Sequence, residues 1–140
     1  PDKLNQLRHA RMFRTVSDIK RHMKRHAAIL RPKFETVEKE LQEQLADTGV
    51  ARWTTPKGGY FISLYVLEGC AKRVEQLCAN AGMILTPAGA TYPYGTDPKD
   101  SNIRIAPSYP SIEEIEKASE VLALAVRYAA LEKLLSDKEN

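Results

Sequence analysis

The sequence predicts an α+β fold: a two-layer sandwich in which a small, mostly antiparallel sheet carries helices packed on one face. Three observations lead there. An apolar stripe at helical spacing runs through residues 19–45. Short β-branched and aromatic runs bounded by Pro and Gly follow it, with one helical stretch among them. A second long helical pattern, opened by a capping box, closes the chain. Few strands joined by short turns favour antiparallel pairing, and helices with one apolar stripe each need a sheet face to cover.

Residues 1–16 show no clean period and read as a connector or short helix; residues 17–140 read as the domain. Ser17-Asp18 offers an N-cap. Behind it Ile19, Met23, Ala27, Leu30, Phe34, Val37, Leu41 and Leu45 recur every three or four residues. The stripe keeps phase across Pro32, which predicts one long kinked helix ending at Thr48-Gly49. Val50 to Thr54 reads as a strand, Pro56 to Gly59 as a turn, and Tyr60 to Val66 as a second strand. Gly69 to Asn80 reads as a helix burying Val74, Leu77, Cys78 and Ala81, with Gly82 closing it. Met83 to Thr86 reads as a short strand. The stretch from Pro87 to Ser101 is long for a connection in a compact domain, and such loops are often functional. Asn102 to Ala106 reads as the last strand. Ser111 and Glu114 form a capping box for a helix to about Leu135, with Ile112, Ile115, Leu122, Ala125, Ala129 and Leu131 apolar and residues 136–140 frayed. The predicted order is αββαββα.

The 140 residues suit one domain with its own core, and the chain is expected to fold alone. It does not start with Met, and reads as part of a longer product. No apolar run approaches the roughly 20 residues of a membrane span, and no signal peptide opens the chain. Cys70 and Cys78 are predicted on one helix, ~12 Å apart and too far for a disulfide. Two unpaired, buried cysteines fit a reducing, cytoplasmic setting.

Charge is uneven. Residues 1–33 hold ten Lys or Arg against Asp2 and Asp18, a local +8, while the remainder carries −5. Lys20, Arg21, Lys24, Arg25, Arg31 and Lys33 cluster on the first half of the long helix. A nucleic acid binds such a cluster through its phosphates, but no stacking platform or recognition pattern accompanies it. A solvated connector helix is the better reading, with no specific nucleic-acid partner. His22 and His26 are spaced as a metal pair but lack a third ligand, so no metal site is expected.

No glycine-rich phosphate loop and no nucleophile elbow appears. Arg104 is the most informative residue. It sits in a strand between Ile103 and Ile105, and alternation turns it to the opposite face. By local pattern alone a solvent-facing arginine is the commoner case. The functional reading is a guanidinium fork that grips a carboxylate or phosphate through two parallel charge-assisted bonds.

Three runs decide between them by resemblance. PKGGYF (56–61) resembles the proline-glycine-glycine-aromatic turn of aminotransferases, TPAGATY (86–92) resembles their proline-glycine-aromatic loop, and NIRIAPS (102–108) resembles their carboxylate-arginine strand. All three stand in the family's order, over about residues 1–135. The chain thus resembles the C-terminal small domain of a fold-type-I, pyridoxal-phosphate-dependent aminotransferase, of a divergent bacterial aspartate aminotransferase-like branch. The resemblance implies transfer of an amino group between an L-amino acid, aspartate, and a 2-oxo acid such as 2-oxoglutarate. It implies that Arg104 grips the substrate α-carboxylate, that Gly59 lets substrate approach the strand, and that Tyr92 lies near the pocket mouth. It implies no catalytic and no cofactor-binding residue in this chain. Pyridoxal 5'-phosphate is expected to be held by a large domain of the same polypeptide, upstream of Pro1, with the whole enzyme a homodimer and this chain alone inactive. Lys57 reads as a solvated turn residue. The aminotransferase-like domain of a DNA-binding transcriptional regulator, and a carbon–sulfur lyase, share these features and remain alternatives.

Overall fold

The computed structural model describes residues 2–139, without the side chain of Glu139; Pro1 and Asn140 lie outside the described residues. Two compact units divide after Pro32. In the first, α1 (Lys3–Met12) opens on Asp2, whose carboxylate accepts the Asn5 N–H at 3.1 Å. Helix α2 (Val16–Leu45) contains Pro32, as the phase of the stripe predicts. Its cap is Thr15 rather than Ser17: the Thr15 hydroxyl accepts the Asp18 N–H at 3.2 Å, and the Asp18 carboxylate accepts the Thr15 N–H at 3.0 Å. That reciprocal pair satisfies two orphan donors at once, which Ser17 has no residue placed to match. Ile19 and Met23, expected in the buried stripe, are exposed.

The second unit holds the core. Strands β1 (Ala51–Trp53), β2 (Ile62–Val66) and β3 (Asn102–Ile105) form an antiparallel sheet in the order β1-β2-β3. Its registers pair Arg52 with Tyr65, Ser63 with Arg104, and Tyr65 with Asn102. One face of the sheet presents Ile62, Leu64, Val66, Ile103 and Ile105 to a single buried cluster. That cluster takes Val37, Leu41 and Leu45 from α2, Ala71, Val74 and Cys78 from α3 (Ala71–Asn80), and Ile115, Leu122 and Val126 from α4 (Ile112–Glu139). Strand period two and helix period 3.6 thus meet on one side of the sheet, and the α+β two-layer reading holds.

Residues 83–86 are not a strand, so the sheet has three strands rather than four. Met83 and Leu85 pack on the core while Ile84 is 94% exposed, so the alternation is real. Alternation reports which face is buried, not whether a neighbour offers a ladder. The chain is held otherwise: the Ala88 N–H donates to the Glu75 carboxylate at 2.8 Å. Helix α3 starts at Ala71 rather than Gly69 and ends where Gly82 was expected to close it. There Gly82 N–H reaches Ala79 O at 3.0 Å and Met83 N–H reaches Cys78 O at 2.9 Å. Ala81 is exposed. The Ser111–Glu114 capping box forms, with bonds of 2.7 and 3.2 Å. Helix α4 runs on to Glu139 instead of fraying after Leu135, and Ile112 and Leu131 lie on its exposed side. Arg73 and Glu132 join α3 to α4 through two parallel bonds of 2.7 and 2.8 Å.

Both cysteines are free and buried, as expected. Cys70 directly precedes α3 rather than lying within it. Burial pushes the Cys78 thiol up to about 11, which makes it a poor nucleophile. No helix among the described residues is long and apolar enough to cross a membrane.

Candidate functional site

The sheet face away from the core is polar. Arg52, Ser63, Tyr65, Asn102 and Arg104 lie on it by strand alternation and register. Arg104 is half-buried. Its guanidinium carbon stands 4.6 Å from the centroid of the Phe61 ring. Its Nε is buried and has no hydrogen-bond partner. No acidic side chain forms an ion pair with it among the described residues. A buried donor without a partner costs roughly 1–3 kcal/mol. A guanidinium stacked over an aromatic ring and without an acidic partner keeps its charge available to an anion. Arg52 makes a similar contact, 4.0 Å from the Tyr65 ring centroid, but is exposed.

Gly59 ends the 56–59 turn at φ +95, and a Cβ placed there would meet no atom within 4 Å. Its need for glycine within this chain is therefore backbone conformation rather than crowding. Two residues on, Phe61 supplies the ring beneath Arg104. Tyr92 is half-buried and precedes a short 3-10 turn, Pro93–Gly95. It is the neighbour of Tyr92 that meets β3: Thr91 Oγ1 donates to Asn102 Oδ1 at 2.6 Å.

The 87–101 loop is ordered by internal bonds. The Asp97 carboxylate accepts the N–H groups of Lys99, Ser101 and Asn102 at 3.0, 2.8 and 2.9 Å. Burial alone would raise that carboxyl, but the three donors outweigh it and hold it below its ordinary value. Gly89 is buried at φ +89, and a Cβ there would lie 2.3 Å from Gly95 O. Sequence reasoning singled out neither Asp97 nor Asn102. An Asp four and five residues before the two N–H groups at the entry to β3 was the available signal.

Lys33 leaves the solvated basic face on which the sequence placed it. Its ammonium donates to Ser108 O at 2.9 Å and to Tyr109 O at 3.4 Å, and also to Pro110 O, fixing the turn after β3. Lys20, Lys24, Arg25 and Arg31 are exposed, and Arg21 pairs with Asp18. The His22 and His26 rings touch edge-on at 4.4 Å between centroids. No group of three or more metal-ligating side chains occurs among the described residues.

A three-stranded antiparallel sheet with helices on one face matches the small domain of a fold-type-I aminotransferase. The family described as aspartate amino-transferase matches residues 1–138, and the chain belongs to that family. An aspartate aminotransferase of Corynebacterium glutamicum is 49% identical over 132 residues, covering 94% of this chain and 31% of the relative. The crystal structure of an aspartate transaminase from the same species superposes with a TM-score of 0.91 at 49% identity, covering 95% of this chain and 31% of that one. An uncharacterized HTH-type transcriptional regulator of Bacillus subtilis, YdfD, is 28% identical over 112 residues, covering 78% of this chain and 22% of its own length. The chain thus spans about a third of the aminotransferase it matches, and less of the regulator.

Proposed function

We propose that this chain supplies the substrate-carboxylate arm of an enzyme that transfers an amino group between an L-amino acid, aspartate, and a 2-oxo acid. The observation that carries the reading is the buried, unpartnered Nε of Arg104 on the open sheet face. Arg104 grips the α-carboxylate with a planar fork, and the Phe61 ring backs it. Gly59 leaves the strand end clear for substrate, and Tyr92 stands at the pocket mouth. Residues 1–16 connect this domain, 17–140, to a large domain of the same polypeptide, and the whole enzyme is a homodimer.

Pyridoxal phosphate supplies the electron sink in this class of enzyme. Its anchoring lysine must be held out of water. The described lysines are exposed except Lys33 and Lys133, which are half-buried and bonded to carbonyl groups and to Asp137 respectively. On this reading the anchoring lysine and the cofactor's other ligands belong to the large domain. What this chain contributes is orientation: a carboxylate fixed at two points leaves the Cα–H bond little freedom to drift from its reactive alignment.

The test is the full-length enzyme with Arg104→Lys, which keeps the charge and loses the fork. Losing one to two charged contacts should lower kcat/KM by roughly 2–4 kcal/mol. Cofactor occupancy by absorbance should be unchanged, and turnover of an amine lacking the carboxylate should hardly respond. Near-wild-type kcat/KM for amino acids would return Arg104 to a solvent-facing strand residue. The identity with the regulator favours a second reading, an effector domain that binds an amino acid without turning it over. Binding of aspartate with no transfer to 2-oxoglutarate by the full-length protein would select it.

A further inference from the structure

We infer that Asn102 is a positioning residue, which fixes the 87–101 loop against the sheet face bearing Arg104 and so sets affinity for the carboxylate substrate. The inference rests on the reading of Arg104 given above. Asn is depleted in strands, and an amide removed from water costs stability unless its donors and acceptor are met. Asn102 nevertheless lies in β3 with 2% of its surface exposed. Its amide bridges two elements. Nδ2 donates to Ser63 Oγ at 2.8 Å, and Oδ1 accepts from Thr91 Oγ1 at 2.6 Å.

Ser63 is the register partner of Arg104, so the bridge ends beside the guanidinium's own strand position. Thr91 belongs to the loop and immediately precedes Tyr92. The backbone N–H of Asn102 is held in turn by Asp97, near the other end of the same loop. One strand residue therefore ties the loop to the sheet through side chain and main chain together. A Val or Thr at 102 would suit the strand better but has no amide to bridge with. The bridge does not touch substrate. It fixes the distance between the loop wall and the fork, and a loosened wall lets the bound carboxylate sample more positions. That weakens ground-state and transition-state binding alike, so KM should rise while kcat holds.

Thr91 is exposed, which makes it the safer site for the test. In the full-length enzyme, Thr91→Val removes the donor and keeps the shape. KM for the amino acid should rise about three- to tenfold with kcat within about twofold, the span of one hydrogen bond. Thr91→Ser keeps the hydroxyl and should restore wild-type KM. In the 140-residue chain without cofactor, hydrogen exchange at amides 90–92 should quicken with Val and not with Ser. An unchanged KM in Thr91→Val, or a fall confined to kcat, overturns the inference even where exchange quickens. Arg104→Lys in the same assay separates the two ideas. If it lowers kcat/KM and Thr91→Val leaves KM alone, only the positioning role fails; if it too is silent, the carboxylate arm fails and this inference with it.

Discussion

The Arg104 guanidinium lies over the Phe61 ring, 4.6 Å from carbon to centroid, and the two are 43 positions apart in the chain. The antiparallel register makes the meeting possible. Ser63 pairs with Arg104, and Phe61 stands two residues before Ser63, immediately ahead of β2. The aromatic at the end of the 56–61 turn is thus the platform for the strand arginine. Phe61→Leu in the full-length enzyme keeps an apolar side chain and removes the ring face. A cation–π contact is worth about 0.5–2 kcal/mol, so kcat/KM should fall about two- to thirtyfold. Stability should barely move, because Phe61 is 49% exposed. Steady-state kinetics beside a urea unfolding curve would check both halves, and an unaltered kcat/KM would make the ring incidental.

Gly89 is predicted to tolerate no side chain. A Cβ there would sit 2.3 Å from Gly95 O, and φ is +89, where L residues are strained. The obstacle is backbone and cannot swing aside. Gly89→Ala should cost about 2–4 kcal/mol, strain and displacement together. Urea denaturation of the 140-residue chain measures it, and a wild-type midpoint would contradict the loop geometry.

Asp97 should give the loop an acid-sensitive hold. Its carboxyl sits below the ordinary 3.8: desolvation opposes ionisation, but the N–H groups of Ser101, Lys99 and Asn102 outweigh it. A carboxyl depressed in the folded state contributes stability that is fully present above the unfolded value and lost as pH falls through the folded one. Asp97→Asn keeps an acceptor but loses its charge, and should cost about 1–2 kcal/mol at pH 7. That difference should shrink as pH drops below about 4. Chemical denaturation of both proteins at pH 7, 5 and 3 tests the sign; a gap that widens in acid would refute it.

Much of the fold was legible because periodicity reports burial. The stripe Val37–Leu41–Leu45 and the alternation of Ile62–Leu64–Val66 gave the core face directly. Residues 83–86 misled for the same reason: Met83 and Leu85 alternate with Ile84, but no strand lies beside them. Arg104 was singled out through three short runs in order. Its platform, its unpartnered Nε and the Asn102–Ser63 bond were not, since they depend on how β2 and β3 pair, which no local pattern contains. Lys33 was misplaced among solvated cations because its partners are carbonyls at 108–110, more than seventy residues away.

Helix α4 is apolar on two sides. Its inward side buries Leu122, Val126 and Ala129. Its outward side exposes Leu124 at 66%, Tyr128 at 51%, Leu131 at 60% and Leu135 at 60%, spaced four, three and four residues apart. Stability of the 140-residue chain should depend on the first set and hardly on the second. Leu122→Ala should cost about 2–5 kcal/mol, the range for a buried leucine whose site collapses only partly. Leu124→Gln and Leu131→Gln should each stay within about 0.5 kcal/mol, since an exposed side chain has little contact to lose. The unfolding slope in urea should be the same for all three, because the surface exposed on unfolding changes little. A loss above about 2 kcal/mol for Leu131→Gln would mean that the outward side is covered in solution, and repeating the measurement at tenfold dilution would show whether a second copy covers it.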